Sequence, residues 1–202
     1  MGLSFHYSGR FNPLSSLQDL IDEVEDVARI HNWKYFIFER EFPENNMGLA
    51  TYNDKLYGIC FSPPECEPVW LSFLSNGRMA SADSLQFYAH SSGKQEQQYL
   101  YMLSTKTQYA GMQIHMIVIQ LFKYLSKKYL LDFTVSDEGQ YWETGDETVL
   151  KNIFKTYTDL INGFGTLLET FPADKNESIE SYIERMMAYF VKKRSEGSDS
   201  KF

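Results

Sequence analysis

Cysteine is scarce in this chain. Cys60 and Cys66 are the two thiols present, too few for a disulfide framework. Zinc would need further ligands, and no paired Cys or His motif supplies them. Flanking Glu65 and Glu67 disfavour a reactive thiolate at Cys66, and the prolines around it fit a rigid turn. The N-terminal residues lack a basic segment leading into an apolar run, so no signal peptide is read. His6 stands where a myristoylation signal has Ser or Thr. No apolar stretch approaches the ~18 residues of a membrane span. These absences point to a soluble, cytoplasmic protein with free thiols.

Positive charge is also in short supply. Lys+Arg number 19 against 27 for Asp+Glu, a formal net charge of −8. Such a chain is repelled by phosphate backbones and anionic lipid. Lys192-Lys193-Arg194 is the longest basic run, and it falls at the end of a predicted helix, where cations complement the helix dipole. Neither nucleic acid nor a membrane is an expected partner; a basic protein or a cation suits this charge better. Recognisable reaction machinery is missing as well. There is no nucleophile elbow or phosphate loop, and Asn162–Thr166, "NGFGT", follows a helix and lacks the third glycine of a dinucleotide fingerprint. No cofactor is expected.

Aromatic residues are abundant, at 16% of 202 residues. They suit a large buried core, and each Tyr or Trp brings a polar end that needs a partner. Alternation in Leu3–Ser8 predicts a strand with Leu3, Phe5 and Tyr7 on one face. Ser16 then caps an amphipathic helix through Leu17, Leu20, Ile21, Val24, Val27, Ala28 and Ile30, ended by His31-Asn32. Strands are expected over 33–39, 55–61 and 69–75. Asn76-Gly77 predicts a type I′ hairpin whose return runs as far as Tyr88. A strand over 98–104, a helix over 107–129 and a strand over 130–136 follow. Helices beyond 149 and beyond 179 close the pattern, the first interrupted near Gly163 and Gly165.

The expected fold is α+β: one domain over residues 1–194, with a mixed, largely antiparallel sheet of about six or seven strands covered by helices, two of them C-terminal. Either strand–helix–strand unit could add a parallel pair. Residues 195–202 are expected to be a mobile tail.

Two acidic features carry the functional readings. Ser136–Glu147, "SDEGQYWETGDE", holds five carboxylates and no basic residue. Thr144, Asp146 and Glu147 fit a helix start. Asp137, Glu138 and Glu143 remain. An ordinary solvated turn accounts for them; acid/base catalysis in a small hydrolase, or a hard-cation site, is the sharper alternative. Tyr141 and Trp142 between them could bind a carbohydrate or other small ligand. The second feature is the first helix, where Asp19, Asp22, Glu23, Glu25 and Asp26 face outward with Arg29 as the lone base. Outer faces of this kind are ordinarily just solvated. As a functional reading, the ridge would dock a basic protein, which makes the chain a non-catalytic interaction module. His115, on the apolar side of the long helix, is expected to be a hydrogen-bonded core histidine.

Overall fold

The computed structural model describes residues 2–90, 93, 96–171 and 177–198. The chain divides into two compact units, Met1–Tyr157 and Thr158–Phe202.

Among the described residues the first unit holds six strands. They are β1 (Ser4–Phe11), β2 (Lys34–Ile37), β3 (Tyr57–Ser62), β4 (Val69–Phe73), β5 (Leu103–Lys106) and β6 (Leu130–Asp137). Its helices are α1 (Leu17–Ile30), α2 (Ala82–Tyr88), α3 (Glu96–Tyr99), α4 (Gly111–Tyr129), α5 (Tyr141–Thr144) and the start of α6 (Glu147–Thr170). The α+β class therefore holds, with every ladder between named strands antiparallel. The strands form two three-stranded sheets, in the orders β5-β1-β6 and β2-β3-β4.

The turn after β4 links the two sheets. Gly77 adopts positive φ but Asn76 does not, so the loop is not the expected type I′ hairpin. The Gly77 N–H donates to the Leu74 carbonyl, and the Leu74 N–H to the Arg78 carbonyl. The returning segment then serves both sheets. The Met79 N–H donates to the Gly9 carbonyl of β1, while the Ala80 N–H donates to the Ser72 carbonyl of β4. The return ends there and does not reach Tyr88, because Ser81 and Ser84 form a reciprocal capping box that starts α2. Residues 98–104 differ likewise: α3 comes first, and β5 begins only at Leu103.

Neither strand–helix–strand unit makes a hydrogen-bonded parallel pair. β5 and β6 run parallel to each other but sit on opposite edges of β1, with α4 as the crossover.

One core joins the inner faces of both sheets. Of the expected apolar stripe of α1, Val27 is half-buried and Ile30, the helix's last residue, is 76% exposed. Ser16 caps the helix by accepting from the Asp19 N–H, and Leu17, Leu20, Ile21, Val24 and Ala28 are buried. These pack with Ile59, Phe61, Leu71 and Phe73 of β3 and β4. On the other sheet Phe122 of α4 lies edge-on to Phe5 and Tyr7, with ring centroids 5.5 and 4.9 Å apart. A smaller cluster of Leu56, Leu74, Ala80 and Leu100 sits beside α2 and α3.

In the second unit, α6 runs through Gly163 and Gly165 without the expected break. α7 spans Ile179–Ser198. There the Tyr182 hydroxyl donates to the Phe171 carbonyl at 2.7 Å, and Arg185 grips Glu177 at 2.9 and 2.7 Å. Residues 195–198 of the expected tail belong to α7, and residues 199–202 lie outside the described residues.

Candidate functional site

The acidic 136–147 segment is used by the fold, residue by residue. β6 ends at Asp137, whose side chain points inward with 0% exposure. Its Oδ1 accepts from the Gly139 N–H at 2.7 Å, and its Oδ2 from the Tyr141 and Trp142 N–H groups at 2.8 and 2.9 Å. His115 of α4, also at 0% exposure, places Nε2 3.1 Å from Oδ1. A carboxylate only accepts, so Nε2 carries the proton. The Thr107 hydroxyl meets Nδ1 at 2.8 Å and completes a buried Thr–His–Asp chain. Burial pushes the Asp137 carboxyl up, but the hydrogen bond and charge of His115, with the amides of Trp142 and Gly139, outweigh it and hold the group below the usual carboxylate range.

Glu138 turns the other way. Its Oε2 accepts from the Ser4 N–H at 2.7 Å, and its Oε1 lies 4.0 Å from His6 Nε2. Glu143 is exposed on the single turn of α5. Asp146 accepts from the Thr148 N–H at 2.7 Å and starts α6, as its sequence position implied. Tyr141 is 6% exposed, and its hydroxyl accepts from Gln120. Trp142 is half-buried, 6.0 Å from the Phe133 ring. Among the described residues no three His, Cys, Asp or Glu side chains group as a metal set.

The α1 ridge is partly neutralised by the molecule's own cations. Glu23 bonds Lys128 and the Tyr129 hydroxyl. Glu25 pairs with Arg29 and accepts from the Tyr35 hydroxyl at 2.9 Å. Asp19 shares the capping contact with Ser16. Asp22 takes a hydrogen bond from Gln18 and lies 3.9 Å from Arg40, at an exposure where such a pair is weak. Asp19, Asp22 and Asp26 are the exposed members of the five.

The outer faces of the two sheets differ. Antiparallel sheets commonly turn one face to water and keep it polar. The β5-β1-β6 sheet does so: His6 pairs across to Ser104 and Ser136, and Ser8 to Thr134. On the β2-β3-β4 sheet, with α1 against its inner face, the corresponding cross-strand row is Phe36, Cys60 and Trp70. Phe36 is 60% exposed. Phe38 meets Phe36 edge-on at 4.9 Å and stacks on Trp70 at 6.1 Å. The signal for this face was in the sequence: Phe36 and Phe38 of "YFIF" are two apart, so a strand there puts both rings on one side.

Trp70 also lines a groove of about 440 Å³ bounded by β4, α2, α3 and the start of β5. The Tyr7 hydroxyl fixes this tryptophan's backbone, accepting from its N–H at 2.8 Å and donating to its carbonyl at 3.2 Å.

No family model, no curated protein and no solved structure matches this chain. Fold and surface define an α+β protein whose β2-β3-β4 sheet carries a partly exposed aromatic row. No helix among the described residues is long and apolar enough to cross a membrane.

Proposed function

We propose that this protein is a non-catalytic interaction module that docks a basic protein. The carrying observation is the contrast between its sheets: one outer face is polar, while the other presents Phe36 at 60% exposure beside Cys60 and Trp70. Exposed apolar faces with polar rims mark interaction sites. The net charge of −8 favours a cationic partner, and Asp19, Asp22 and Asp26 add long-range attraction. Glu23 and Glu25 contribute less, because Lys128 and Arg29 already hold them. Acid/base chemistry by Asp137, Glu138 and Glu143 finds less support, since Asp137 is buried against His115 while Glu138 faces Ser4.

The test is affinity capture from cytoplasmic extract at low and high salt, with wild type and with a variant carrying Asp19→Asn, Asp22→Asn and Asp26→Asn. Basic proteins should be captured, released by salt and retained poorly by the variant, because exposed charges are screened. Capture indifferent to both salt and the substitutions overturns the reading.

A further inference from the structure

The groove beside Trp70 has the chemistry of a cation receptor. Its walls include Trp70, Tyr88, Tyr99 and Met102, and Glu67 and Asp83 lie among them. The Tyr88 and Tyr99 rings meet at 54° with centroids 5.6 Å apart, forming an aromatic corner. Tyr99 and Met102 are 43% and 62% exposed. Aromatic faces attract ammonium and guanidinium groups through their quadrupoles. Glu67 is positioned in advance: its Oε2 accepts from the Lys106 N–H at 2.9 Å, and its own N–H donates to the Lys106 carbonyl at 3.1 Å. No Lys or Arg lines the groove among the described residues. The Lys106 ammonium lies over the Tyr109 ring, 5.2 Å from its centroid.

We infer that this groove receives a cationic side chain, lysine or arginine, carried by an extended segment of the docking partner. The inference rests on the basic-partner reading and adds where the cation sits. Aromatic walls cover the apolar stem and the two carboxylates neutralise its head. The volume of about 440 Å³ suits a short peptide segment better than a lone ammonium ion. The groove adjoins the Phe36–Cys60–Trp70 row at Trp70, so a segment crossing that face reaches it without a break.

The experiment is an NMR titration of the full chain with acetyl-Lys-Gly-Lys-amide, its norleucine counterpart and tetramethylammonium. The lysine peptide should shift the Trp70 indole and Tyr99 ring signals, and the norleucine peptide should not. Glu67→Gln keeps an acceptor for the Lys106 amide, and Asp83→Asn and Tyr99→Leu change exposed positions. Each should weaken binding about two- to fivefold. Equal binding of tetramethylammonium and the lysine peptide overturns the peptide assignment in favour of a small-ammonium site. Shifts confined to α1 overturn the groove while leaving the basic-partner reading standing. An absence of shifts anywhere overturns both.

Discussion

His115 Nε2 lies 3.1 Å from Asp137 Oδ1, and neither side chain is exposed at all. The pair ties α4 to the end of β6, and the remaining acceptor capacity of Asp137 orders the 139–142 turn. Because the folded carboxyl sits below its unfolded value of roughly 3.9, the native state binds fewer protons between those two values. Its stabilisation is therefore complete above the unfolded value and is lost as pH falls through the folded one. Asp137→Asn should cost about 2–4 kcal/mol near neutrality in urea unfolding, since it leaves His115 and at least one amide poorly paired. The variant should also lose part of the wild type's decline in stability as pH falls below roughly 4. An unchanged acid profile would remove Asp137 from this role.

Gly139 is the turn's second requirement. A Cβ there would stand 2.7 Å from Leu150 Cδ1, 2.8 Å from His115 Nε2 and 3.1 Å from Asp137 Oδ1. Gly139→Ala should destabilise by about 1–3 kcal/mol through overpacking. Gly163→Ala is the contrast: it lies within α6, where, outside the helix's own backbone, the added Cβ meets nothing within 4 Å among the described residues, and it should stabilise by roughly 0.5–1 kcal/mol. Unfolding midpoints of the two variants should move in opposite directions.

Much of the fold was legible because its signals are local. Leu3, Phe5 and Tyr7 alternate and are buried; Ser16 caps α1; His115 is the core histidine its helical position implied. The misread segments are those where tertiary contacts decide. Arg78–Ala80 divides its hydrogen bonds between two sheets, and no turn propensity encodes that. Gly163 and Gly165 lower helix propensity, yet α6 continues through them. At the acidic segment, sequence could supply carboxylates but not directions: Asp137 and Glu138 are adjacent and face opposite ways because they end a strand. The ridge on α1 was visible as charge, whereas Lys128, 105 positions from Glu23, was not visible as its partner.

Lys128 offers a direct handle on that ridge. Burial pushes the Glu23 carboxyl up, and hydrogen bonds from Lys128, Tyr129 and Tyr124 bring it below the usual range. The hydrogen bond to Glu23 in turn raises the Lys128 ammonium. Lys128→Met should let the Glu23 carboxyl rise, read by carbon-detected NMR titration. At neutral pH it should make the α1 face more acidic, strengthening capture of a basic partner and steepening its salt dependence. A Glu23 titration unchanged from wild type would show that Lys128 is not what holds it.

Cys66 tests the thiol chemistry that its sequence neighbours implied. Burial pushes the thiol up to about 12, and the charge of Glu67 adds to the rise. Its Sγ faces the Lys106 carbonyl at 3.6 Å, an acceptor that favours the protonated form. Burial raises Cys60 as well. Only the thiolate attacks an alkylating reagent, so native protein at pH 8 should react with iodoacetamide at least on the order of a hundredfold more slowly than urea-unfolded protein. Mass spectrometry of quenched time points resolves the two cysteines. Glu67→Gln should speed Cys66 without affecting Cys60, because it removes the adjacent charge but leaves the burial. Rapid modification of Cys66 in the folded wild type would mean that the 63–68 turn opens to solvent, and the rim of the Trp70 groove with it.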